Sequence, residues 1–170
     1  MEIASSLKEK LKGTVVVVGI GNITKGDDGA GPELIRRLKL SKLSTLNSKL
    51  FLLDVGEVPE NYLERIIQYK PDTILLIDAV DFRNKPGEVR IFNSSNIGNT
   101  HISTHCGSLS LVINYLKKES TSEIFLIGIQ PQNLNTGEKL SAPVSSALEE
   151  IVDGLKQIFS VRRKTIILSR

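Results

Sequence analysis

Residues 14–19 (TVVVVG), 73–79 (TILLIDA) and 123–129 (EIFLIGI) are apolar almost without interruption. A strand with one face in water alternates apolar and polar residues. A strand that does not alternate is covered on both faces, so it needs a layer of helices on each side. Two further β-type runs, 49–54 (KLFLLD) and 88–92 (EVRIF), complete a set of five. Helical patterns lie between them. Residues 32–40 open with Pro32 and Glu33, favourable in a first turn. Residues 59–70 stop before Pro71. Residues 106–118 carry apolar side chains at 109, 112, 113 and 116, and 143–160 at Val144, Leu148, Ile151, Val152, Leu155 and Ile158. Strands alternating with helices predict an α/β fold, a mostly parallel five-stranded twisted sheet with helices on both faces. The link Asn84-Lys-Pro-Gly87 is too short for a crossover helix, so 88–92 reads as an antiparallel or edge strand.

A chain of 170 residues predicts a single domain spanning 1–170. Residues 1–13 read as a short amphipathic helix or a frayed end, and 161–170 as an edge strand or a disordered tail, both peripheral. The net charge of +3 comes from these ends, through Lys8, Lys10 and Lys12 and through Arg162, Arg163, Lys164 and Arg170. Without them the chain is slightly acidic. With no Trp and few aromatics to stack on bases, no nucleic-acid partner is expected. No apolar run is long enough to span a bilayer, so no membrane insertion is expected. Charge interrupts the first residues, which therefore do not read as a signal peptide, and a cytoplasmic location is expected. The single cysteine, Cys106, excludes an internal disulfide and a cysteine-based zinc knuckle.

In open α/β sheets ligands bind beyond the carboxyl ends of the strands. The first strand runs into a loop from Gly19 to Gly31 that holds Gly26-Asp27-Asp28-Gly29. The second ends near Asp54 and Glu57, the third at Asp78 and Asp81, and the fourth leads through a polar loop to His105. The glycine-rich loop begins G-x-G, but Thr24 stands where a dinucleotide fingerprint needs its third glycine. Asp27 and Asp28 would repel a phosphate. Asp78 closes a buried strand, where a carboxylate needs a partner: a cap or turn would supply one, and so would a site. His101 and His105 have the spacing of a zinc-protease helix, but Ile102 replaces the general-base glutamate. Ser103 or Thr104 reads as an N-cap with a helix starting near His105, which leaves His101 in a loop. Asp28, Asp78 and His105 then form an O,O,N set at one rim, suited to zinc, nickel or iron(II) at an open site. Cys106 adjoins His105, but neighbouring side chains diverge, and it reads as a small buried residue.

Five ordered motifs share a family pattern: Gly19-Ile-Gly-Asn22 with Gly26-Asp-Asp-Gly-Ala-Gly-Pro32, then Val58-Pro-Glu-Asn61, Ile77-Asp-Ala-Val-Asp81 with Asn84-Lys-Pro-Gly-Glu88, Ser103-Thr-His105, and Phe125-Leu-Ile-Gly-Ile-Gln-Pro131. Over roughly residues 14–155 the chain resembles the [NiFe]-hydrogenase maturation endopeptidases. It is most similar to the type that processes the large subunit of formate hydrogenlyase and related energy-converting hydrogenases. The resemblance implies a peptidase, aspartic-type by family convention, that removes a short C-terminal extension from the large-subunit precursor once nickel is inserted. It carries the family's metal contacts onto Asp28, Asp78 and His105, and catalysis onto Asp28 and Asp78. Some members have Glu where this chain has Asp28. Substrate contacts are expected from Gly26, Asp27, Asp54 and Asp81. Nickel is expected to arrive with the substrate and to be weakly held by the free enzyme, since three ligands on loops are poorly preorganised. Whether an aspartate activates water or only docks on the metal stays open at this point. A monomer is expected, because the large subunit must cover the rim. The alternatives are a non-catalytic nickel-binding maturation chaperone and an unrelated nucleotide-binding protein.

Overall fold

Every side chain of β1 (Val15–Ile20) is buried, as its unbroken β-branched run requires. The structure is a computed structural model that describes residues 2–97, 103–104 and 109–168. Around β1 lie β2 (Leu50–Gly56), β3 (Thr73–Asp81) and β6 (Glu123–Ile129), all parallel, in the order β2-β1-β3-β6. Strand β4 (Val89–Asn93) closes the sheet antiparallel to β6, so the short link before it does force an antiparallel edge strand. A two-residue strand, β5 (Ser103–Thr104), pairs antiparallel with the end of β3, Thr104 opposite Val80.

The period of two sorts the strand residues onto two cores. On one face Val15, Val17, Leu75, Ile77 and Ile127 meet helices α1 (Glu2–Lys10), α2 (Ala30–Leu40) and α6 (Ala142–Leu168). On the other, Val16, Val18, Ile74, Leu76, Val80 and Leu126 meet α3 (Leu63–Gln68) and α5 (Leu109–Glu119). A short α4 (Ser94–Ile97) follows β4. After β1 the chain moves to one side for β2, then returns across β1 to place β3 on the other. The crevice between the carboxyl ends of β1 and β3 is therefore the topological switch point.

Three readings of the sequence change. Residues 59–70 are not one helix: a 3-10 turn, Pro59–Tyr62, precedes the six-residue α3. The tail is neither strand nor coil, because α6 continues to Leu168. Residues 1–13 are not peripheral: Leu7 and Leu11 are fully buried, and α1 packs along α6. Leu7 and Leu11 lie four residues apart on one face, so a short helix gains its stability from the partner it covers. No helix among the described residues is long and apolar enough to cross a membrane.

Candidate active site at the carboxyl ends of β1 and β3

Asp78 continues the series Ile74, Leu76, Asp78, Val80 along one face of β3, so its carboxyl takes a core position. It is 1% exposed, and its Oδ2 has no hydrogen-bond partner among the described residues. Burial, and then the negative charge of Asp28, push this carboxyl up to about 8, against the pull of the Ala79 backbone N–H. An acid so placed holds its proton at neutral pH unless a cation takes that proton's place.

Asp28 reaches the same point from the loop after β1. The turn Gly26–Gly29 is a 3-10 helix that leads directly into α2. The Asn22 backbone N–H donates to Asp28 Oδ2 at 2.8 Å, which fixes the side chain from behind. Gly21 is required here: at φ +127 its α-carbon lies so close to the Asp28 carbonyl oxygen that any side chain would collide with it. Across the entrance, Lys25 Nζ pairs with Glu57 Oε1 at 2.6 Å, and Asn22 Nδ2 donates to Glu57 Oε2 at 2.8 Å. These exposed contacts tie the loop after β1 to the loop after β2. Asp28 also contributes to raising the Lys25 ammonium, after the larger effect of Glu57.

The other candidates separate. Asp54 is aligned with Gly19, and its parity with Leu50 and Leu52 puts it on the sheet face opposite to Asp78. It is exposed and accepts the Gly56 N–H at 3.2 Å. Asp81 accepts the Arg83 N–H at 2.9 Å and the Gln130 amide at 3.1 Å, holding the turn after β3. Gly26, at φ +51, packs against Asn133. Asp27 is 0% exposed, and both its oxygens are occupied by the loop before α6. These placements make Asp27 and Asp81 internal fasteners of the rim. His105, His101 and Cys106 lie outside the described residues. The described chain reaches Thr104, opposite Val80 and thus two residues beyond Asp78 on β3. Among the described residues no three acidic, histidine or cysteine side chains form a set able to hold a metal.

Gln130 falls within the motif Phe125–Pro131, but the sequence assigns it no role. Its side chain is buried and fully engaged: Oε1 accepts from Phe82 N (2.9 Å) and Asn84 N (3.2 Å), while Nε2 donates to Asp81 Oδ1 (3.1 Å) and Pro131 O (3.3 Å). It fixes the loop that leaves β3 three residues after Asp78. Beyond its place in that motif, its local signal is an amide directly after an apolar strand and before a proline.

Two carboxyls meeting at the switch point of a doubly wound sheet place this chain among α/β proteins with an acidic crevice. Comparison with known proteins narrows that class. A family model described as HycI hydrogenase maturation protease matches residues 32–158. The hydrogenase 3 maturation protease of Escherichia coli K12 is 31% identical over 144 residues, 84% of this chain and 89% of its own. A crystal structure of the [NiFe] hydrogenase maturation protease HycI from Thermococcus kodakarensis KOD1 superposes with a TM-score of 0.81 at 31% identity. It covers 91% of this chain and 99% of its own. The hydrogenase-maturating endopeptidase HybD of E. coli, 22% identical with a TM-score of 0.70 over 89% of this chain and 93% of its own, shares the fold. The chain belongs to the hydrogenase maturation protease family, and is a peptidase.

Proposed function

We propose that this peptidase removes the C-terminal extension of a [NiFe]-hydrogenase large-subunit precursor after nickel insertion, and that it recognises the nickel the precursor holds. The observation that carries the reading is Asp78: a buried carboxyl with an unpartnered oxygen, beside a second carboxylate, at the crevice where this fold binds ligands. That pair is suited to a cation that arrives with the substrate. Asp28 and Asp78, with His105, would contact the nickel while the precursor's own ligands hold it. The metal then fixes where the neighbouring peptide bond lies. Hydrolysis adds water across that bond: the oxygen goes to the carbonyl carbon, the C–N bond breaks, and the leaving amine takes a proton. One aspartate would accept the proton of the attacking water once the cation has displaced its own. The cytoplasm is the compartment in which such a precursor would be met.

The intact mass of a nickel-loaded precursor, before and after mixing with the protein, tests the reading. A loss equal to a short C-terminal peptide is expected. A stable complex with unchanged precursor mass would overturn it in favour of a nickel-binding chaperone. Asp78→Asn then separates the two roles of the aspartate: retained binding without cleavage assigns it to water, and lost binding assigns it to nickel.

A further inference from the structure

Resting on that peptidase reading, we infer that Asp27 is a positioning residue, which locks the loop 131–141 onto the Gly26–Gly29 turn and thereby sets Asp28 in place. Burying a carboxylate is costly unless every lone pair it presents is met. Here they are met by one distant loop. Oδ2 accepts from Gln132 N (2.7 Å), Asn133 N (3.1 Å) and Ser141 Oγ (2.9 Å), and Oδ1 from Ser141 N (2.7 Å). One bond runs back, Asp27 N donating to Asn133 O at 3.0 Å, and a further one from the loop, Gly137 N to Thr24 O at 2.8 Å, secures the start of the turn. Gly26 lets the surfaces close, because at φ +51 it lies where a side chain would strike Asn133 Oδ1.

Asp27 and Asp28 are consecutive in a tight turn, so their side chains point in well-separated directions. One grips the loop and the other faces β3. The segment from Asn22 to Asp28 is thus held at both ends, by the Asn22–Asp28 bond inside and by the Asp27 clamp outside. The clamped loop has no helix or strand from 131 to 141, and its Gln132 and residues 135–139 are exposed. A connection that merely joined β6 to α6 would not need a buried charge to hold it. A turn that must hold the neighbouring Asp28 in place does, since small displacements of a reacting group are costly in rate.

The test compares Asp27→Asn, Ser141→Ala and Ser141→Thr with a core control, Leu7→Ala, on nickel-loaded precursor at a temperature where circular dichroism shows each folded. Asp27→Asn swaps one acceptor oxygen for a donor facing donors. It is expected to lower kcat about 100-fold with little change in KM. Ser141→Ala should fall in the same direction, Ser141→Thr should recover, and Leu7→Ala should keep its kcat despite an equal loss in Tm. Amide hydrogen exchange gives a readout free of cleavage: Asn22 should lose protection together with Gln132 in Asp27→Asn. A folded Asp27→Asn with wild-type kcat, or an Asn22 amide that stays protected while Gln132 is exposed, overturns the proposal. If Asp27→Asn does not fold, the Ser141 pair decides by the same measurements. A wild-type protein that shortens no precursor, with the Asn22 and Gln132 amides still coupled, overturns the peptidase reading and supports the clamp.

Discussion

Asp78 has the ordinary carboxylate value of 3.8 in an unfolded chain and about 8 in the fold. Between those values the folded chain keeps a proton that the unfolded chain releases. Stability of the metal-free protein therefore falls as pH rises from about 4 to about 8, and levels beyond. Asp78→Asn carries no such proton. Its Tm relative to wild type should climb across that window, and parallel Tm–pH curves would contradict the assignment. The residue scale is also where the sequence was most and least informative. Asp78 was legible because four apolar residues before it announce a buried strand end. Asp27 was not, because its hydrogen-bond donors lie more than a hundred residues away and nothing local distinguishes it from Asp28.

At the scale of elements, α2 is fastened to α6 by Arg37, which bonds the Ser145 carbonyl and hydroxyl at 3.1 and 2.9 Å while Glu33 holds its guanidinium at 2.8 Å. Arg36, bonded to the same carboxylate, and then Arg37 lower Glu33 to about 2, although partial burial opposes them. The stabilisation from Glu33 is complete above its ordinary value of 4.5 and is lost as pH falls toward 2. Urea unfolding of wild type and Glu33→Gln should differ most above about pH 5, and the difference should shrink steadily as pH falls from about 4.5 toward about 2; a constant difference would show that Glu33 acts without its charge. The strands were readable because burial on both faces is written in each run by itself. The run 123–129 is β6 without adjustment, and Thr73–Asp81 outlasts its apolar run only by pairing with β5. The division of 59–70 was not readable, since the 3-10 turn at Pro59 depends on how that segment meets β2.

At the scale of the whole molecule, the first residues are anchored in the core through Leu7 and Leu11, while Lys8 and Lys12 stay exposed. Leu7→Ala should cost about 2–5 kcal/mol in chemical denaturation. A cost below about 1 kcal/mol would return α1 to the periphery. The doubly wound order brings the ends of β1 and β3, and with them Asp28 and Asp78, together at one crevice. On the reading that the precursor's own ligands hold the nickel, the free protein should bind it weakly: dialysis should leave well under one equivalent, and a chelator should not change its Tm. A stoichiometric, tightly held metal would mean that the rim is a resident metal site.

The central claim is that the two carboxyls at this crevice act on a substrate that brings its own nickel. Initial cleavage rates on one large-subunit precursor, prepared with and without nickel, test it most directly. Rapid shortening of the nickel-loaded form and none of the nickel-free form is expected. Equal rates on the two would contradict it.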